Sequence, residues 1–325
     1  MIIKLLSAVM TLALACSPAA AQKTPKKFGI LINGAPSPLY ESIKTNLLAD
    51  FAKLGYADGD IVIEPRFAEG KLDRLPALAA DLAAANVDVI AALGGPAARA
   101  AQSATKTIPV IFSIVTDPVA LGLVASMDKP GGNVTGVTSL DREQAQKQFE
   151  LWKEILPNIK RVAILSDKTI PGADERGWAP IDRANDAAAR SLGLEPRIVK
   201  LKDASEIEDA LAAMKDIDAL VVLEVPVPFS NRRQISELAL KNRLPAMFPG
   251  GQADAQGVVT YGTNVADTWR QLPSMADRIF KGGNPAEIPV GVVTKRELVL
   301  NLKTAQQIGL TIPPDVLKKA DKVIQ

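Results

Sequence analysis

The chain of 325 residues contains no histidine, and its only cysteine is Cys16. Histidine is the commonest general base and the commonest transition-metal ligand in proteins. Its absence excludes a histidine-containing catalytic triad. A single cysteine cannot build an intrachain disulfide framework, and a chain of this length buries a large apolar core without one. These absences exclude the commonest nucleophilic and metal-dependent enzyme sites, and we expect no cofactor.

The chain also has little net charge, +2 at pH 7. Such a balance gives no overall positive field that would attract nucleic acid, so we expect no nucleic-acid partner. After the first twenty-one residues, no apolar run approaches the length of a transmembrane helix. The remaining chain is long enough for two lobes or domains.

The N-terminal segment has the pattern of a secretory signal peptide. Lys4 supplies a positive charge, Leu5–Ala15 is an apolar run too short to span a bilayer, and Ala19 and Ala21 form an A-x-A cleavage site. We therefore predict that residues 1–21 are removed and that the protein works in the periplasm or another extracytoplasmic space. A lipid anchor at Cys16 is the alternative, although Ala13 stands where a lipobox usually has leucine.

Apolar strands alternate with helices along the rest of the chain, which predicts an α/β fold with parallel sheets covered on both faces. The alternation restarts near Gln144, so we predict two doubly wound lobes rather than one large sheet. The first set includes a predicted helix over Pro118–Met127, and a single helix is predicted over Val265–Phe280. The tail after Phe280 is expected to cross back to the first lobe and then return.

Three long segments carry a resemblance to a known family: residues 68–82, 107–140 and 297–314. They resemble the periplasmic substrate-binding proteins of ABC importers, in the family that includes tryptophan- and tyrosine-type binders. The resemblance implies a type I periplasmic binding fold, in which two lobes joined by three hinge crossings close on a ligand. It implies a monomer that binds a small molecule and serves a membrane ABC permease and its ATPase.

The resemblance also implies a division of the chain. Lobe 1 would comprise residues 22–138 and 265–290, and lobe 2 residues 139–264 and 291–325. The hinge crossings would fall near Thr138–Asp141, Tyr261–Asn264 and Val290–Thr294.

Ligands of open α/β sheets bind beyond the carboxyl ends of the strands, so the loops at those ends hold the candidate site residues. A helix start after the third strand offers backbone N–H groups to an anion such as a ligand carboxylate. The alternative there is a strand-to-helix turn that needs small residues. Asp117 is either a helix N-cap or a partner for a ligand ammonium group. The candidates of the first lobe are Asn33, Pro36, Ser37, Tyr40, Gly95, Pro96, Ala97, Thr116 and Asp117.

The second lobe offers two carboxylates after predicted strands. Asp167 and Glu224 each follow an apolar strand, and either carboxylate is able to pair with a ligand amine; capping or solvation is the alternative. Trp178 is expected either to cover an apolar ligand group or to pack on the surface. The candidates of the second lobe are Asp167, Thr169 and Glu224.

Three classes of function remain after these exclusions. The favoured class is a binding protein that captures a small solute, and the resemblance implies an amino acid of aromatic or branched side chain as the leading ligand. The alternatives are an exported enzyme that uses Asp117, Asp167 and Glu224 for acid–base chemistry, and a sensory protein that presents its ligand to a receptor.

Overall fold

The structure, a computed structural model, describes residues 24–115, 117–138 and 142–325. The predicted signal peptide and Cys16 lie outside the described residues. Within them, no helix is both long and apolar enough to cross a bilayer.

The first sheet has six parallel strands in the order β11-β5-β4-β3-β1-β2. Its middle strands are short apolar runs, and every residue of the third strand is buried, as expected where helices cover both faces of a sheet. The strands are β1 (Lys26–Ile32), β2 (Ile61–Phe67), β3 (Val89–Leu93), β4 (Val110–Val115), β5 (Val134–Thr138) and β11 (Gly291–Val292).

Helices cover both faces of this sheet, and each face has its own apolar core. One core takes its helical side chains from α2 (Leu75–Ala84) and α3 (Gly95–Ala104). The other takes them from α1 (Pro38–Lys53), α9 (Val265–Trp269) and α10 (Leu272–Phe280). The first lobe therefore uses helices from two distant parts of the chain.

The second sheet has seven strands in the order β13-β12-β10-β9-β8-β6-β7. All neighbours are parallel except β12, which runs antiparallel to β10. The strands are β6 (Arg161–Asp167), β7 (Glu195–Leu201), β8 (Ala219–Val222), β9 (Ala246–Pro249), β10 (Val259–Thr263), β12 (Arg296–Asn301) and β13 (Lys322–Ile324).

Helices also cover both faces of the second sheet. Side chains of α4 (Arg142–Ile155), α5 (Pro180–Ser191), α11 (Leu302–Gln307) and α12 (Pro314–Leu317) enter one core. Side chains of α6 (Ile207–Ala212) and α8 (Arg232–Lys241) enter the other. A short helix, α7 (Pro226–Ser230), follows β8 at the carboxyl edge of the sheet.

The chain passes between the sheets three times: after β5, after β10 and after β11. Residues 139–141 of the first crossing lie outside the described part of the chain. Gly291 and Val292 pair with Val137 and Thr138 of the first sheet, two residues beyond the expected lobe boundary at residue 290. The third crossing therefore starts after β11, not before it.

Two predicted helices differ from the structure. Residues 118–127 form successive turns, because Asp117 accepts a hydrogen bond from Ala120 N (2.9 Å) and Gly122 has a φ of +65°. The predicted helix over residues 265–280 is two helices, α9 and α10. Pro273 has no N–H to continue the helical hydrogen bonding, and it lies in the first turn of α10.

Candidate ligand-binding site

The carboxyl edges of the two sheets meet through their loops. Gly95, after β3, lies against the loop after β6: a Cβ atom placed on Gly95 would be 3.6 Å from Pro171 Cγ. A Cβ atom on Gly172 would be 3.0 Å from Leu121 Cδ2, in the loop after β4. At both glycines an added methyl group would touch the opposite lobe, so the loops at the two sheet edges approach each other closely along this side.

Asn33 follows β1 at the edge of the first sheet and carries a buried Oδ1 atom without a hydrogen-bond partner. Its Nδ2 atom lies beside Gly94, where a Cβ atom would approach to 2.8 Å. Gly94 has a φ of +88°, which a residue with a side chain rarely adopts. A glycine is therefore required for Asn33 to take this place.

The start of α1 brings Tyr40 to the same edge. Ser37 is the N-cap of α1, and its Oγ accepts a hydrogen bond from Tyr40 N (3.2 Å), while Pro36 is exposed. The Tyr40 side chain is buried, with its ring edge-on to Phe67 and its hydroxyl oxygen unpaired. Burial, with a smaller contribution from the charge of Glu41, raises the pKa of Tyr40 to about 12. The hydroxyl therefore stays protonated and is available as a donor.

The start of α3 presents uncapped backbone groups. No side chain caps this ten-residue helix, and Gly95 and Pro96 are its first two residues. The Ala97 side chain is fully buried, so Ala97 can serve a ligand only through its main chain. Helix N-termini of this kind attract anions through free N–H groups and the helix dipole.

The end of β4 is distorted where it reaches the cleft. Ile114 has a φ of +58°, unusual for a β-branched residue, and the pairing with β5 shifts register between Phe112 and Val115. Asp117 is half-buried and caps a turn through the bond to Ala120 N, so its contacts favour the capping alternative. The predicted site residue Thr116 lies outside the described residues.

Asp167 is fully buried at the end of β6, and the protein already satisfies its carboxylate. Oδ1 accepts hydrogen bonds from Thr169 N (2.7 Å) and Thr169 Oγ1 (2.6 Å), and Oδ2 accepts one from Val227 N (2.8 Å). Asp167 and Thr169 therefore tie the loop after β6 to the start of α7. This geometry favours a structural role over pairing with a ligand amine.

Glu224 follows β8 and differs from Asp167 in having no protein partner for a buried oxygen. Part of the residue is accessible, but Oε1 is buried and unpaired. Burial raises the pKa of Glu224 from 4.5 to about 8. The carboxyl group is thus largely neutral at pH 7, and a cation placed beside it would favour the ionised form.

Two buried residues with unpaired polar atoms near the strand ends were not among the predicted candidates. Gln252 follows β9 and is 3% exposed, yet neither Nε2 nor Oε1 has a partner. Trp269 of α9 is 7% exposed with an unpaired Nε1, one residue after Thr268, whose Oγ1 lies 2.8 Å from Ser113 Oγ near the end of β4. The Gly250-Gly251 pair directly after a buried strand was the available signal for Gln252.

Trp178 is held by its own loop. The Arg176 guanidinium lies 4.2 Å from the centre of the Trp178 ring, and Trp178 N donates to Asp174 Oδ1 (2.9 Å). The loop is anchored by Asp182, which is fully buried and accepts a hydrogen bond from Lys200 Nζ at 2.8 Å. These contacts favour surface packing of Trp178 over contact with a ligand.

Residues 38–324 match the family described as ABC transporter substrate binding protein. The chain belongs to this family. The match includes all three crossings and every strand of the two sheets except β1, so it covers both lobes and not one alone. The predicted resemblance and the type I periplasmic binding fold are confirmed.

One relative of this ABC substrate-binding protein is named for its ligand. The present chain is 26% identical over 276 residues to a tyrosine-binding protein of Clostridioides difficile, and the match covers 84% of this chain and 78% of that one. Among solved structures, it is similar to a domain from Streptococcus pneumonia in complex with L-Trp (28% identity, TM-score 0.83, 93% and 100% of the two chains). It is also similar to a conserved domain protein of Vibrio cholerae (25% identity, TM-score 0.85, 92% and 100%).

Membership in this family confirms the predicted solute-binding function, and proteins of the family act outside the cytoplasm. The family is one of binding proteins and not of enzymes. Two of the three carboxylates considered for acid–base chemistry, Asp117 and Asp167, already hold backbone N–H groups. The described residues hold no group of three or more acidic, histidine or cysteine side chains suited to a metal ion.

Proposed function

We propose that this ABC substrate-binding protein captures an α-amino acid with an aromatic side chain between the carboxyl edges of its two sheets. It works outside the cytoplasmic membrane as a monomer, after removal of residues 1–21, and delivers the amino acid to an ABC permease and its ATPase. The similarity to a tyrosine-binding protein and to a domain in complex with L-Trp supports this ligand class.

One observation carries the proposal: buried polar atoms at the carboxyl edges of both sheets have no partner in the protein. Asn33 Oδ1 and Tyr40 Oη lie in the first lobe, and Glu224 Oε1 lies in the second. Buried polar groups in native proteins are nearly always hydrogen-bonded, and leaving one unpaired costs roughly 1–3 kcal/mol. A polar ligand in the cleft would satisfy groups of both lobes together.

The charges of the two edges favour one orientation of an amino acid. The uncapped start of α3 in the first lobe suits the α-carboxylate, and Glu224 in the second lobe suits the α-ammonium group. The ligand thereby bridges the lobes, so its binding energy stabilises the closed arrangement. The buried aromatic residues Tyr40 and Trp269 make the first lobe the better place for an apolar ligand side chain.

The three crossings then act as hinges. They divide the chain into a first lobe of residues 22–138 and 265–292 and a second lobe formed by the rest. Rotation about these crossings opens the Gly95–Pro171 contact, and closure around the ligand changes the outer surface that a permease reads.

The test is a ligand screen on protein that has been unfolded and refolded to remove retained solute. Thermal unfolding is measured with each of the common amino acids and with sugars as a control class. A ligand at about one hundred times its dissociation constant stabilises the native state by about 2.7 kcal/mol, which raises Tm by several degrees. Selective shifts with L-tryptophan, L-tyrosine or L-phenylalanine support the proposal. A shift with sugars alone, or with no amino acid, contradicts it.

A further inference from the structure

Gln252 has an unusual environment at the carboxyl edge of the second sheet. The chain turns at Gly250 and Gly251 after β9, and Gln252 then precedes a single 3₁₀ turn over Ala253–Ala255. Its main chain is satisfied, because Gln252 N donates to Pro249 O (3.3 Å) and Gln252 O accepts from Ala255 N (2.9 Å). Only the carboxamide is left without partners.

That carboxamide is both buried and wholly unpaired. Gln252 is 3% exposed, and among the residues that the structure describes it alone has two buried side-chain polar atoms without a partner. Asn185, on α5 of the same lobe, is a useful contrast: it is 4% exposed and its Oδ1 is unpaired, but its Nδ2 donates to Ile181 O at 2.9 Å. A carboxamide with both a donor and an acceptor unpaired calls for a ligand that supplies both kinds of group.

Sheet topology places Gln252 and Glu224 at the same edge of the second sheet. Glu224 follows β8 and Gln252 follows β9, and these strands are parallel neighbours in the second sheet. Neighbouring strands lie about 4.8 Å apart, so the loops that hold the two residues leave the sheet edge side by side. Together they offer a carboxyl group that attracts a cation and an amide that is able both to donate and to accept hydrogen bonds.

We infer that Gln252 is a specificity-determining residue that reads the zwitterionic head of the ligand together with Glu224, an inference that rests on the proposed function. Gln252 Oε1 accepts a hydrogen bond from the α-ammonium group that faces Glu224, and Gln252 Nε2 donates one to the α-carboxylate. The carboxylate has two oxygens, so it is able to accept from the start of α3 as well. An amine or an acid alone would leave one Gln252 atom buried and unpaired.

The inference is tested with three probes that share one ring system: L-tryptophan, tryptamine, which lacks the carboxylate, and indole-3-propionate, which lacks the ammonium group. Where the wild type prefers L-tyrosine, the corresponding series is L-tyrosine, tyramine and 3-(4-hydroxyphenyl)propionate. Affinities are measured by calorimetry for the wild type, for Gln252→Leu and for Asn185→Leu as a control. The control changes an equally buried amide on a helix of the same lobe, away from the strand ends.

We expect Gln252→Leu to weaken binding of the complete amino acid about tenfold or more and to reduce its preference over the two truncated probes. Its unliganded Tm should be unchanged or higher than that of the wild type, because an unpaired buried amide has been removed. Asn185→Leu should leave all three affinities unchanged.

The other outcomes separate this inference from the proposed function. Wild-type affinity in Gln252→Leu would overturn the role of Gln252 while the proposed function stood. An equal loss for all three probes would also overturn it, because Gln252 would then shape the cleft without reading the head group. No binding of any probe by the refolded wild type would overturn the proposed function and this inference with it.

Discussion

The unpaired carboxyl group of Glu224 has a measurable effect on stability in the absence of any ligand. Burial raises the pKa of Glu224 to about 8, whereas in the unfolded chain it returns to its ordinary value of 4.5. Between these two values the folded state holds a proton that the unfolded state has lost. The free energy of unfolding therefore falls as pH rises, by about 1.4 kcal/mol per pH unit for this one group.

The size of the effect follows from the same two values. Below pH 4.5 Glu224 is protonated in both the folded and the unfolded state, and above pH 8 it is ionised in both. Its contribution to the free energy of unfolding therefore does not change with pH outside this range. From pH 5 to pH 8 the free energy of unfolding of the wild type should fall by up to about 4 kcal/mol relative to that of Glu224→Gln. At pH 7 the variant should be more stable than the wild type by up to about 3 kcal/mol.

Urea unfolding of the refolded, ligand-free protein at intervals from pH 5 to pH 9 measures this difference. The quantity to compare is the free energy of unfolding of Glu224→Gln minus that of the wild type, with m-values checked for agreement. Glu208→Gln is the control, since Glu208 is exposed on α6 of the same lobe. A difference for Glu224→Gln that stays constant over the whole pH range would refute the reasoning.

Three further predictions concern the cleft and its loops. If a ligand ammonium group pairs with ionised Glu224, the affinity for L-tryptophan should rise by up to about tenfold per pH unit from pH 6 to pH 8 and stay constant just above pH 8. Calorimetry at several pH values measures this profile, and an affinity that does not change with pH would exclude the pairing. Gly172→Val should weaken ligand binding, because the Cβ atom of the new residue would lie 3.0 Å from Leu121 Cδ2 of the opposite lobe. Gly177→Val is the control, since Gly177 has a similar positive φ but open space around it, and equal ligand affinities of the two variants would contradict the close approach of the lobes. Asp167→Ala should lower the free energy of unfolding by about 2–4 kcal/mol, because three hydrogen bonds to the carboxylate are lost, and the folded protein should still bind ligand. Loss of ligand binding without loss of stability would contradict the structural role of Asp167.

Sequence patterns predicted the strands well and the chain between them less well. Strands such as β3 and β8 are unbroken apolar runs, because helices cover both faces of each sheet, and such runs are easily recognised in a sequence. The Asp117-Pro118 pair looks like a helix start, but Gly122 at positive φ ends the segment in turns. The three-residue strand β13 was not predicted, because so short a strand has no periodicity of its own.

The candidate site shows a different limit of sequence reasoning. Asp167 and Glu224 look alike in the sequence, since each is a carboxylate directly after or at the end of an apolar strand. They differ because Val227 N, sixty residues along the chain, reaches Asp167, while no protein group reaches Glu224 Oε1. Only tertiary contacts reveal which carboxylate is free. Gln252 was missed because the prediction drew its candidates from the loops after β1, β3, β4, β6 and β8, and not from the loop after β9.

The interleaving of the two sheets affects the order in which the chain can fold. α9 and α10 cover one face of the first sheet, yet they follow five strands of the second sheet in the chain. Of the three helices on that face, only α1 is therefore available to cover the apolar side chains of β1, β3 and β4 until about residue 280 has been synthesised. A nascent chain cannot complete its first lobe before most of the second has left the ribosome. If the chain is exported as we propose, this delay keeps it unfolded until it reaches the protein-translocation channel.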